Sequence, residues 1–135
     1  MGTWSHEPFG NDTANDWAYD LQGSKGLSYV EATLDNVLDR GSGYLAAPEA
    51  EKAVAAVEVL AKLMGKGTEF DAYTEEVDVW VASVRQKPTA GLLGKAQRAL
   101  DRIMSKDSEL LELWGESEDG EAWRTSIATL KNAVR

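Results

Sequence analysis

The chain has no cysteine and a single histidine, His6. Without thiols, disulfide staples, thiolate metal centres and cysteine nucleophiles are excluded. A lone histidine also excludes the two-histidine helical pair of zinc proteases. No apolar run approaches the roughly 20 residues needed to span a bilayer. The first residues lack the basic-then-apolar order of a secretory signal, so residence in the cytoplasm is expected. Positive charge is scarce as well: 14 Lys and Arg stand against 23 Asp and Glu, a net charge of −9. Such a surface repels phosphate backbones and anionic lipid, so neither nucleic-acid nor membrane binding is expected. It suits solubility, or docking onto a basic protein. Neither phosphate-binding glycine pattern occurs, nor the G-x-S-x-G turn of serine hydrolases.

What is present is helical periodicity over a length that suits one domain, 1–135. Ala14, Trp17, Ala18 and Leu21 share one helix face, with Asn11 or Asp12 as its cap and Gly23 as its stop. Further helices are expected from about Ser28 to Arg40, Pro48 to Met64, Thr74 to Gln86, Thr89 to Ser105, after Asp107 or Ser108, and from Asp119 to Val134. The third, with Ala53-Val-Ala-Ala-Val-Glu-Val-Leu-Ala61, is apolar almost all round and belongs at the centre of a bundle. Pro88 is expected to stop the fourth. Gly91 and Gly94 are expected to let the fifth pack closely. Lys95, Arg98 and Arg102 read as an ordinary solvated stripe. The fold expected is all-α: a single-domain bundle of six or seven helices with a short N-terminal arm, residues 1–10, docked on it.

The chemically able side chains crowd into the first 21 residues. Candidate binding residues are Trp4, His6, Phe9, Asn11, Asp12, Asp16 and Asp20. Asp12, Asp16 and Asp20 lie one turn apart and form an acidic stripe. His6, Glu7, Asp12 and Asp16 offer nitrogen and oxygen ligands for a hard or borderline cation, and His6 oriented by a carboxylate offers a general acid or base. Helix capping and a solvated face account for the same residue types. No nucleophile is matched to His6, and no catalytic residue, bound metal or cofactor is assigned.

The opening Met1-Gly2-Thr3-Trp4-Ser5-His6-Glu7-Pro8-Phe9-Gly10-Asn11-Asp12-Thr13-Ala14-Asn15-Asp16-Trp17 resembles the pattern of an uncharacterised bacterial family, domain of unknown function 4259. Tyr44-Leu45 before the Ala-rich helix and Ser108-Glu109-Leu-Leu-Glu-Leu-Trp114 are similar too, so the resemblance covers nearly the whole chain. Ser5 stands where the family usually has glycine, and Gly10 where an acidic residue is common. The resemblance implies no activity, cofactor or partner. Physically, the pattern suggests an arm whose Trp4 and Phe9 rings are buried against the bundle. Pro8 stiffens the chain between them, and Asp16 hydrogen-bonds back to the arm.

The function expected is a non-enzymatic protein-interaction module, such as an immunity- or inhibitor-type protein, whose acidic face covers a basic partner. A metal-binding protein or enzyme using His6 with Asp12 and Asp16 is the alternative. Monomer and homodimer are both compatible with the sequence, the latter through Trp114 or the fourth helix.

Overall fold

A computed structural model describes residues 2–135; Met1 of the opening pattern lies outside the described residues. Seven helices follow the arm: α1 (Asp12–Leu21), α2 (Ser28–Leu38), α3 (Ala47–Leu63), α4 (Glu75–Val84), α5 (Ala90–Ile103), α6 (Glu109–Gly115) and α7 (Gly120–Ala133). The all-α bundle with a docked arm is therefore observed. Among the described residues no helix is long and apolar enough to cross a membrane.

α3 is the axis of the bundle. Ala53 to Ala61 are buried without interruption, and the helix packs against all six others. Its alanines and valines keep the helix thin, so neighbouring axes can approach on every side. Around it, each helix turns its apolar stripe inward, as with Ala14, Trp17, Ala18 and Leu21 of α1. The indole N–H groups of two buried tryptophans are satisfied. Trp17 donates to Thr33 Oγ1 at 2.8 Å, and Trp80 to the Ser24 carbonyl at 2.9 Å.

Three sequence expectations are corrected. α4 ends at Val84 because Arg85 turns into the left-handed region (φ 51°), four residues before Pro88 could act. The α5 glycines make no close approach: a Cβ on Gly91 or Gly94 would meet nothing nearer than 3.4 Å. The basic stripe of α5 is also more than a solvated face. Lys95 bridges Glu31 and Asp35 of α2 at 2.7 and 2.9 Å. Arg102 donates to the carbonyls of Gly41 (2.9 Å), Gly43, Lys106 (3.2 Å) and Asp107 (3.3 Å), tying two loops together.

The two downstream segments that carry the family resemblance meet in space. Leu45 N–H donates to the Asp107 carbonyl (2.8 Å), Glu109 N–H to the Leu45 carbonyl (2.9 Å) and Tyr44 Oη to Glu112 Oε1 (3.0 Å). Together they form the joint that seats α6 on the start of α3.

Candidate functional site

The arm folds back on itself before α1 begins. Trp4 and Ser5 N–H both donate to the Gly10 carbonyl (2.9 and 3.2 Å), Gly10 N–H to Glu7 (2.9 Å) and Asp12 N–H to Gly2 (2.6 Å). Asn11 caps α1, its Oδ1 accepting from Ala14 N–H at 2.8 Å. The two departures from the family pattern touch each other here, since a Cβ on Gly10 would lie 2.2 Å from Ser5 Oγ.

The anchor of the arm is Phe9, which is fully buried, as expected. Trp4 is not: it stays 44% exposed, tilted at 40° against Tyr73 with ring centroids 5.0 Å apart. Asp16 does not hold the arm either. Asn15 does, its amide donating to the Phe9 and Asn11 carbonyls at 2.9 and 2.8 Å. The reason is chemical: the free groups there are carbonyls, which need a donor, and an ionised carboxylate has none. Asp12, Asp16 and Asp20 are all exposed on the outer side of α1.

His6 is half-buried beside Glu7 and Pro8, at a groove of about 560 Å³ between the arm and α7. His6, Asp12 and Asp16 are not brought together. Among the described residues, the gathered acidic group is instead Glu7, Glu69 and Asp71, whose nearest carboxylate oxygens lie within 4.8 Å of one another. Glu69 is 2% exposed, and its Oε1 accepts Phe9 N–H at 2.8 Å. Burial, the hydrogen-bonded Asp71 carboxyl and the charge of Glu7 push the Glu69 carboxyl up to about 8. A carboxyl so placed holds its proton at neutral pH, which removes one charge from a crowded acidic pocket.

Behind Glu69 lies a polar core that the sequence reading did not single out. Glu58, in the apolar run of α3, is fully buried. It accepts Thr68 N–H (2.8 Å), Thr68 Oγ1 (2.6 Å) and Glu69 N–H (2.9 Å). One turn later, Lys62 pairs with Asp78 of α4 at 2.9 Å, approaches Glu58 at 3.7 Å and donates to the Glu69 carbonyl. Its Nζ also sits 3.7 Å from the centroid of the Phe70 ring. Burial pushes the Glu58 carboxyl up, against hydrogen bonds from Thr68 and Glu69 and the charge of Lys62. The network fastens the 64–74 link to α3 and leaves no buried side-chain N or O without a partner among the described residues. The signal in the sequence is one oppositely charged i, i+4 pair, Glu58 and Lys62, set in and just after the apolar run Ala53–Ala61.

The arm and this link thus lie side by side, joined by Phe9 to Glu69 and by Trp4 to Tyr73. Further along, Gln22 Nε2 of α1 donates to Glu76 Oε2 of α4 at 2.6 Å. Residues 1–24 and 67–84 together carry nine carboxylates and no lysine or arginine. The rest of the chain balances fourteen acids against fourteen bases, so the whole formal net charge of −9, which counts Glu69 as ionised, resides in these two segments. Asp12, Asp16, Asp20, Asp71, Glu75 and Glu76 are exposed. The same segments supply Trp4, Tyr19, Phe70, Tyr73 and Val79, five of the seven large apolar side chains that are exposed among the described residues.

No curated protein and no solved structure matches the chain. A family whose description is "Domain of unknown function (DUF4259)" matches residues 2–126, nearly its full length, and the chain belongs to that family.

Proposed function

We propose that this protein is an interaction module whose acidic, aromatic face receives a basic surface of a partner protein. The observation that carries this reading is the segregation of charge. Every unit of net charge, with most of the exposed apolar side chains, comes from two segments that the fold places next to each other. Complementary charge steers a partner to such a face and sets its orientation, while rings such as Trp4 and Tyr73 supply the apolar anchors of a binding centre. A cationic enzyme held by an inhibitor or immunity-type protein is the most specific form of the proposal.

Capture from the native cell extract at low and high salt tests it, comparing wild type with the triple variant Asp12→Lys, Asp16→Lys and Asp20→Lys. These side chains are exposed, and thermal unfolding of the variant checks that the fold is kept. The expected result is a basic protein retained by wild type at low salt and released at high salt, where surface charges are screened. It is absent from the triple variant. Retention of the same protein by that variant overturns the proposal.

A further inference from the structure

At one edge of the acidic face, a groove of about 460 Å³ runs between the end of α1 and the outer side of α4. It is lined by Gln22, Glu75, Glu76, Val79, Trp80 and Ser83. We propose that this groove seats a basic amphipathic helix of the partner protein, its apolar side chains on Val79 and the small accessible edge of Trp80 and its lysines or arginines against Glu75 and Glu76. The inference rests on the acidic face being the docking surface and names the element that docks.

Three observations select this occupant. The first is charge: the lining contains two exposed carboxylates and no cation, and neither neighbouring segment, 1–24 or 67–84, holds a lysine or arginine. The second is shape. Glu75, Glu76, Val79 and Ser83 follow helical spacing along one side of α4, so the groove is a straight track of about 12 Å, some two helical turns. Ala82 and Ser83 beside it are exposed and small, which lets another backbone come close. The third is the kind of edge available. Among the described residues the bundle offers only two isolated bridges, Thr3 with Asn11 and Leu45 with Ser108. Strand addition therefore has no sheet to extend, whereas a straight track beside small exposed side chains suits a docked helix. Val79 is 70% exposed on α4, a helix that packs chiefly against α3 and α1. A helix laid there would cover it and complete the outer layer.

The test uses a 16-residue helical peptide with leucines along one face and lysines on both flanks, titrated into the isotope-labelled full chain. Amide shifts are expected at Gln22, Val79 and Ser83, with little change at the arm–α7 groove around Thr125 and Thr129. Val79→Asp and Ser83→Arg should each weaken binding at least tenfold, and Glu75→Lys with Glu76→Lys should abolish it. All four side chains are exposed, so thermal unfolding should confirm intact folds. Binding that these substitutions leave unchanged, or shifts centred on Trp4 and Tyr73 instead, overturns the groove while leaving the acidic face standing. Failure of the peptide to bind overturns the groove as well; failure of the face itself is read separately, in extract capture with the α1 triple variant.

Discussion

At the scale of single residues, the hardest problem for this fold is Glu58, a carboxyl with no exposure to water in the central helix. It is tolerated because two backbone N–H groups and the Thr68 hydroxyl point at it while Lys62 approaches from the next turn. Glu58→Leu should therefore cost about 3 kcal/mol in denaturant unfolding, since it orphans those donors and takes one of two carboxylates from the buried Lys62. A loss under 1 kcal/mol would show that the network is dispensable. Gly10 presents a smaller version of the same dependence. A Cβ there meets Ser5 Oγ at 2.2 Å and the Ser5 carbonyl at 2.7 Å, so Gly10→Ala should destabilise the protein by about 1–3 kcal/mol. Adding Ser5→Gly removes the hydroxyl part of the clash and should recover some of that loss. Strict additivity in the double-mutant cycle would mean that the two positions do not interact. On this account the two departures from the family pattern accommodate one another, because the chain that gains a hydroxyl at one position lacks a Cβ at the other.

At the scale of elements, the helices were legible because each carries its own signal. Trp17 and Leu21 repeat at helical spacing, Asn11 caps α1, and Thr89 and Ser108 cap α5 and α6 by accepting the N–H of Leu92 and Leu111. What stayed hidden depends on partners far along the chain. The sixty residues between Phe9 and Glu69, or the fifty-four between Gln22 and Glu76, leave no local trace of those contacts. The sequence consequently shows half of the acidic face, the Asp12, Asp16 and Asp20 stripe, while its 67–84 half has the pattern of an irregular link and an ordinary helix. The end of α4 was misplaced for a related reason: Arg85 takes up a conformation its residue type does not announce. The α5 glycines show how a local signal can mislead in the other direction. Gly91 is exposed, its φ is not left-handed, and its Cβ position is nearly open. Gly91→Ala should hence stabilise the protein by about 0.5–1 kcal/mol, through helix propensity and a less disordered unfolded chain. A lower melting temperature for that variant would show that the glycine has a packing role after all.

At the scale of the whole molecule, the segregated charge has a thermodynamic signature besides a functional one. Two adjoining segments with nine acidic residues and no lysine or arginine of their own oppose their own assembly, and among the described residues the acids crowd together at Glu69, between Glu7 and Asp71. The folded protein keeps the Glu69 proton up to about pH 8, whereas the unfolded chain gives it up near the ordinary 4.5. Across that interval the unfolded state binds fewer protons, so stability must fall as pH rises, by at most about 1.4 kcal/mol per pH unit from this group. Burial pushes Glu51 and Glu58 in the same direction, and their contributions share its sign. Glu69→Gln separates Glu69 from them, because the amide oxygen can still accept Phe9 N–H but nothing titrates. Denaturant unfolding at pH 5, 6, 7 and 8 should give a wild-type stability that declines steadily and a variant curve that is flatter, with the variant gaining relative to wild type toward pH 8. Parallel curves would mean that Glu69 is ionised in the folded protein throughout, and that the arm is held against the bundle by an N–H bond to a charged carboxylate. The flatter curve would instead make the docking of the arm, and with it the position of Trp4 on the acidic face, dependent on a proton shared within that face.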